Sequence, residues 1–222
     1  MNNVIRFLRR DYTAAFSSHF KYTVLLLVAF AVTLFVRSGD MIFLSILLLS
    51  YICSYFWVFA ETQNQAANFL NFLPAKASEY VLAKFLFLFT AMIVFVGLAL
   101  ADMIIFREYM KLTMQQVINI AVCSAASCLL FGGLSFLGVF TFGAEKFKAV
   151  YGIPAFIGVI LCFIAENNEI ILSAIRFFTD NTANSLILLG VSAAVFIASY
   201  LISRRSFNYG VLLPTAPPAR MR

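Results

Sequence analysis

Charge is what this sequence has least of. Only 12% of the 222 residues are charged and a single histidine is present, whereas 63% are hydrophobic, against about 45–50% in a soluble domain. The chain contains no G-x-x-x-x-G-K-[ST] phosphate loop, no H-E-x-x-H zinc motif and no G-x-S-x-G nucleophile motif. These features predict an integral membrane protein that is not an enzyme and that has no ATPase site, cofactor or metal of its own.

The cysteines and the histidine do not form a reactive group either. No two cysteines have C-x-x-C spacing, so we interpret all four as small apolar packing residues inside membrane spans. These cysteines are Cys53, Cys123, Cys128 and Cys162. His19 follows the apolar edge of the N-terminal segment. We favour an interfacial position for it over a role as a proton relay.

The long apolar runs also lack acids and bases at mid-membrane depth, since Asp102 and Glu61 lie near the ends of runs. Ionisable groups inside a membrane usually mark ion-coupled transport. Their absence argues against a secondary transporter. Energy for uphill transport must therefore come from another chain.

Six charge-free runs define the predicted fold. A helix needs roughly 20 mostly apolar residues to cross about 30 Å of hydrocarbon. Five runs are long enough, and the first becomes so if Lys21 and Arg37 extend to the interfaces. The runs cover residues 22–36, 41–60, 85–101, 112–144, 149–165 and 181–203. We predict an all-α protein with six transmembrane helices, the fourth near 117–142.

The distribution of lysine and arginine predicts the orientation. With the N-terminus inside, only Arg37, Arg107, Lys111 and Arg176 of the 16 basic residues lie outside. Lysine and arginine are concentrated in cytoplasmic loops of membrane proteins. Both termini are therefore predicted to be cytoplasmic, including a tail over 206–222. The net charge of +6 indicates contact with anionic lipid and requires no nucleic acid.

Two amphipathic segments flank the spans. Residues 1–20 carry Ile5, Leu8 and Tyr12 on one helical stripe, which predicts an interfacial helix on the cytoplasmic leaflet. Residues 166–181 mix charged and apolar side chains. We predict a short external helix there, with a partly re-entrant pair as the alternative.

Small residues recur at four-residue spacing on two spans and predict close helix packing, because they let backbones approach in lipid. They are Ser124, Cys128 and Gly132 on span four, and Gly190, Ala194 and Ala198 on span six. Gly132, Gly133 and Gly138 could instead make a bend.

The most polar interruption between two apolar runs is residues 61–84. Ala66, Phe69, Leu70 and Leu73 fall at i, i+3, i+4 and i+7, which is typical of a short amphipathic helix. Pro74 ends it. Ser78 and Glu79 then supply a cap for the next helix.

The order of these segments resembles the membrane subunit of an ABC transporter of the ABC-2 type, in particular its small six-span permeases. The passage FLNFLPAKASEYVLAKFLF is similar to the family's segment between spans two and three, and FGAEKFK is similar to its second cytoplasmic loop. The resemblance covers nearly the whole chain. It implies one ABC-2 type transmembrane domain over 1–222, with a coupling-helix loop at 61–79.

The resemblance also implies partners. A cytosolic ABC ATPase would hold ATP and Mg²⁺ and dock on this chain, and a second permease, identical or different, would complete the membrane part. The implied docking residues are Asn68, Phe69, Leu70, Phe72, Leu73, Lys76, Glu79, Glu145 and Lys146. The alternative is an interfacial helix that buries its apolar residues in lipid headgroups.

Export is the implied direction, because the Glu-Ala-Ala docking loop of importer permeases is missing. The expected substrate is an amphipathic peptide or another hydrophobic compound, as in exporters of phenol-soluble-modulin-like peptides. The expected location is the cell membrane of a bacterium. The alternative function is a non-transport scaffold or immunity protein that sequesters a peptide without ATP.

Overall fold

The computed structural model describes residues 2–17, 76–109, 111–143 and 169–207, and all regular structure within these ranges is helical. The helices are α1 (Asn2–Ser17), α2 (Ala77–Ile105), α3 (Met114–Phe142), α4 (Glu169–Thr179) and α5 (Thr182–Ser206). Three of them, α2, α3 and α5, are long and apolar enough to cross a membrane. They confirm predicted spans three, four and six. Predicted spans one, two and five, most of the 61–84 stretch and the tail beyond 207 lie outside the described residues.

The start of α2 differs in detail from the predicted cap. The helix begins at Ala77, so Ser78 already lies inside the first turn and is not the cap. The Glu79 carboxylate accepts a hydrogen bond from the Lys76 backbone N–H at 3.1 Å. Glu79 therefore satisfies one backbone donor that the helix leaves free. At 29 residues α2 is about 43 Å long, so its ends extend beyond the hydrocarbon.

Helix α3 has well-defined ends on both sides. The Thr113 hydroxyl accepts from the Gln116 backbone N–H at 3.2 Å, while the Gln116 side-chain oxygen accepts from the Thr113 N–H at 3.1 Å. This capping box fixes the first turn. At the other end Gly143 has a φ of 84°, a conformation that suits glycine, and its N–H donates to the Val139 carbonyl.

The three long helices pack with α3 in the centre. Gln115 near the start of α3 donates to Thr182 at the start of α5, and Phe140 near the end of α3 contacts Phe207 after α5. Helices α3 and α5 therefore run parallel. The Tyr80 ring near the start of α2 lies 6.1 Å from the Phe140 ring, so α2 is antiparallel to both. Of the three, α3 is the most buried and α5 the least.

Serine residues form the buried side of α5. The buried positions on this helix are Ser185, Ser192, Ser199 and Ser203. Phe196, one turn after Ser192, is so close to α3 that a Cβ on Gly133 would lie 3.2 Å from the Phe196 Cα. The serine side therefore faces α3. Hydroxyl groups are poorly solvated by lipid, which favours their burial between helices.

The predicted small-residue ridge of α5 lies on the opposite side. Gly190, Ala194 and Ala198 are exposed, and an added Cβ at Gly190 would meet no atom within 4 Å. Among the described residues the ridge is therefore not a contact between helices. Lipid solvates a surface of glycine and alanine better than it solvates hydroxyl groups, so the serines take the buried side. A partner for the ridge from outside the described residues stays a prediction.

Candidate functional site

One end of the helices concentrates positive charge, and we call it the basic end. It comprises α1, the start of α2 and the ends of α3 and α5. Its basic residues are Arg6, Arg9, Arg10, Lys76, Lys84, Arg204 and Arg205, with Asp11 and Glu79 as acids. The opposite end has three basic residues and four acidic ones. They are Arg107, Lys111 and Arg176, with Asp102, Glu108, Glu169 and Asp180. By the distribution of lysine and arginine, the basic end is the one predicted to be cytoplasmic.

Helix α1 packs lengthwise against the start of α2. Four pairs of side chains join the two helices, and they advance along both in the same direction. The pairs are Asn3 with Glu79 (Nδ2 to Oε2, 3.1 Å), Phe7 with Tyr80 (rings 5.5 Å apart), Asp11 with Lys84 (Oδ2 to Nζ, 2.8 Å) and Tyr12 with Phe87 (rings 5.0 Å apart). The Tyr12 hydroxyl also bonds to Thr90. The two helices therefore run side by side over about three turns.

The side of α1 that packs coincides only in part with the predicted apolar stripe, since Leu8 and Tyr12 of that stripe also contact the α2 side. Val4, Phe7 and Asp11 are buried, at a spacing of three and four residues. Ile5, by contrast, is 56% exposed and Tyr12 is 37% exposed. Helix α1 thus carries apolar residues on two sides. One contacts α2, and Ile5 on the other remains available to lipid, as expected of an amphipathic interfacial helix.

A buried ion pair lies at the centre of this contact. The side chains of Lys84 and Asp11 are only 8% and 6% exposed. The lysine approaches Asp11 Oδ2 at 2.8 Å with an orientation poor for a hydrogen bond, so the contact is chiefly ionic. The other oxygen, Oδ1, accepts from Arg10 Nη2 at 3.0 Å. Buried charges in proteins are normally paired in this way, because an unpaired one is costly to desolvate.

Tyr80 connects the four helices at the basic end. Its side chain is almost completely buried, and three aromatic rings surround it. These are Phe7 of α1 at 5.5 Å, Phe140 of α3 at 6.1 Å and Phe207 after α5 at 5.6 Å. Lys84 Nζ lies 5.4 Å from the centre of the Tyr80 ring, which adds a cation–π contact. The aromatic cluster therefore holds the ends of α3 and α5 next to the start of α2.

Most predicted docking residues fall outside the described residues. This holds for Asn68, Phe69, Leu70, Phe72, Leu73, Glu145 and Lys146. Lys76 is exposed just before α2. Glu79 is half-buried, and its carboxylate is engaged by the Asn3 amide and the Lys76 backbone. The structure therefore assigns Glu79 to the junction of α1 and α2.

The predicted packing residues of span four lie on buried parts of α3. Ser124 is fully buried and Cys128 nearly so. A Cβ on Gly132 would lie 2.4 Å from Leu88 Cδ2 of α2, a distance that real Cβ atoms do not show. Helix α3 remains continuous through Gly132 and Gly133. The Leu88 side chain of α2 therefore fills the space beside Gly132, and the α5 backbone at Phe196 approaches Gly133.

Several residues that organise this region were not identified from the sequence. They are Asp11, Tyr80, Lys84 and the four buried serines of α5. Two features of the sequence could have pointed to these residues. Asp11 is the only acid among the first 39 residues, and Ser185, Ser192 and Ser199 are spaced by seven.

Comparison with known proteins gives one match. A family model described as "ABC-2 family transporter protein" matches residues 8–208. Among curated proteins and among solved structures, none matches the chain. The matched range contains all three described spans, the Asp11–Lys84 pair and the Tyr80 cluster.

Proposed function

The chain belongs to the ABC-2 transporter family, and on that basis we propose that it is a permease subunit that exports its substrate with energy from a separate ATPase. The family match over residues 8–208 is the observation that carries this proposal. Permeases of this kind have no ATPase site of their own. ATP and Mg²⁺ would therefore be held by the partner.

The geometry of the basic end supports docking of the ATPase there. The 61–75 stretch joins α2 at Lys76, and the loop with Glu145 and Lys146 follows α3 after Gly143. The Tyr80–Phe140 contact of 6.1 Å holds these two attachment points next to each other. Both proposed docking segments thus leave the membrane domain at the same place. One ATPase surface could contact both.

We propose that Phe69, Leu70, Phe72 and Leu73 fill an apolar groove on the ATPase, with Asn68, Lys76, Glu145 and Lys146 at its rim. Buried aromatic residues commonly dominate the binding energy of protein interfaces. Glu79 has a different role in this proposal. Its carboxylate joins the start of α1 to the start of α2, next to Lys76, where the docking segment attaches.

We also propose that two permeases pair and that the substrate is hydrophobic or an amphipathic peptide. The exposed side of α5 is apolar around Gly190, with Ile187 and Val191 exposed beside it. At the opposite end α4 exposes Ile170 and Phe177. Such surfaces suit lipid, a second permease or an apolar substrate better than water.

The test is a double substitution, Phe69→Asp with Phe72→Asp. Burying two carboxylates in the docking groove would cost several kcal/mol, so we expect the ATPase to be lost when the permease is purified from cells that express both. Survival of those cells under an amphipathic helical peptide should fall as well. Asn64→Asp with Asn71→Asp is the matched control, because it adds the same charge to the polar side of the same segment.

Full recovery of the ATPase with the double aspartate variant would show that this segment does not dock. If no ATPase co-purifies even with the unmodified chain, and peptide resistance persists without ATP, the chain is a sequestering scaffold instead. Reporters fused after Lys76 and Arg205 would verify that each variant keeps its topology.

A further inference from the structure

We propose that the Asp11–Lys84 ion pair is a register lock, which fixes α1 at one position along α2 so that α1 and the first turns of α2 form a rigid unit. The inference rests on the geometry of these two helices alone. It does not depend on the proposed function. Asp11 and Lys84 are positioning residues in this view.

The pair lies in the middle of the contact. On one side the Asn3 amide donates to Glu79 at 3.1 Å. On the other side Tyr12 contacts Phe87, with the rings 5.0 Å apart. The ionic contact is therefore flanked by a hydrogen bond towards the start of both helices and by an aromatic contact on the other side. It is the point at which charge is buried on both helices.

The ion pair distinguishes this register from its neighbours along α2. The side of α2 that faces α1 carries Tyr80, Lys84 and Phe87. A slip of one turn, about 5.4 Å, would place Phe7 opposite a lysine, either Lys84 or Lys76. The same slip would place Asp11 opposite Tyr80, or next to Phe87 and Leu88. Its carboxylate would then be buried away from the lysine.

Buried ion pairs are poor sources of net stability, because removing both charges from water offsets most of their attraction. Their best-attested role is to specify one arrangement among several of similar packing energy. The Asp11–Lys84 pair meets the conditions for that role. It is nearly inaccessible, it joins two separate helices, and its helices offer apolar alternatives one turn away.

The rigid unit also has a defined location. One end of the unit is Lys76, which directly follows the 61–75 stretch in the chain. The Tyr80 ring of the unit packs on Phe207. The lock therefore fixes the position of Lys76, the residue to which that stretch is joined. A slipped α1 would remove the Asn3 contact from Glu79, whose carboxylate caps α2.

The register can be measured as a distance between two spin labels. Cysteines at Arg9 on α1 and at Ile105 at the far end of α2, both exposed positions, are introduced after the four native cysteines are replaced by alanine. The two labels are separated mainly along the helix axes. A slip of one turn thus changes their distance by about 5 Å. The full chain is labelled, diluted with excess unlabelled chain and placed in vesicles of phosphatidylcholine and phosphatidylglycerol.

With Asp11 and Lys84 intact we expect one narrow distance. The variant Asp11→Leu with Lys84→Met replaces both side chains with apolar ones of similar length and removes the charges. We expect a broadened distribution or a second distance about 5 Å away. Arg6→Leu with Lys76→Met is the matched control, because it removes two exposed charges, one on α1 and one just before α2, and it should keep the narrow distance.

A single, unchanged distance in the Leu–Met variant would overturn the proposal, since packing alone would then set the register. If that variant does not yield folded protein, Asp11→Asn with Lys84→Gln provides the same comparison with smaller changes. The measurement uses the permease chain by itself. The measured distances would therefore be the same if no ATPase partner were found. Conversely, an unchanged distance in the Leu–Met variant would leave the permease assignment in place.

Discussion

The two ends of the helix group are held together by different interactions. At the basic end, aromatic rings around Tyr80 and one buried ion pair join α1, α2, α3 and α5. At the opposite end, a buried apolar cluster that includes Met103 and Ile175 is accompanied by hydrogen bonds from side-chain amides. Gln116 donates to Asp180 at 3.1 Å, and the Asn119 amide donates to the Thr179 carbonyl at 2.9 Å.

The difference indicates where the molecule is sensitive to substitution. Hydrogen bonds within a protein replace bonds to water and contribute about 0.5–1.5 kcal/mol each. A buried charge that loses its partner costs several times more. We therefore expect stability to depend more on the basic end than on the opposite end. Three substitutions test this comparison.

The largest effect is expected from Asp11→Leu, which removes the carboxylate next to the buried Lys84 ammonium. Breaking a buried pair in this way costs about 3–5 kcal/mol of unfolding free energy. Denaturant titration of the detergent-solubilised protein would measure it. Glu108→Leu at the exposed turn after α2 is the control, and its effect should stay within about 0.5 kcal/mol. Equal effects of the two substitutions would remove the contrast between the ends.

An intermediate effect is expected from Gly132→Leu, because a side chain there would collide with Leu88 of α2. Overpacking of this kind costs roughly 1–3 kcal/mol. Gly190→Leu is its counterpart on the open side of α5, where we expect no loss of stability in a single chain. Thermal unfolding of both variants would compare them. A loss at Gly190 that depends on protein concentration would instead locate the contact with a second permease.

The smallest effect is expected from Asn119→Ala at the opposite end. The substitution removes the hydrogen bond from Asn119 Nδ2 to the Thr179 carbonyl, and a lost bond of this type costs about 1 kcal/mol. Hydrogen exchange of the α4 amides would detect local loosening of this helix. A loss as large as that of Asp11→Leu would show that the opposite end is the more strongly coupled one.

The sequence predicts much of the fold and little of the junction at the basic end. Apolar runs are local signals, so they identify α2, α3 and α5 correctly, and the amphipathic pattern of residues 1–20 identifies α1. The side of α1 that packs was predicted only in part, because Asp11 interrupts the apolar pattern and its partner Lys84 lies 73 positions away. Periodicity within one helix carries no information about such a partner.

The buried side of α5 illustrates a second limit. Spacing alone made Gly190, Ala194 and Ala198 as plausible a packing ridge as the serines of the same helix. Which side is buried depends on what the surrounding medium tolerates. Lipid accepts a glycine or alanine surface but solvates hydroxyl groups poorly, so the serines are buried. The side of α5 that is buried is thus decided by solvation, and the spacing of small residues gives no information about solvation.

The separation of Asp11 and Lys84 along the chain has a consequence for biosynthesis. A ribosome adds about 5–20 residues per second, so Asp11 leaves it roughly 4 to 15 seconds before Lys84 does. During that interval α2, the helix against which Val4 and Phe7 pack, has not yet been made. The exposed Ile5 on the second apolar side of α1 suits contact of the nascent helix with the bilayer until α2 is inserted. The junction at the basic end is therefore completed late in insertion, although its first component is made first.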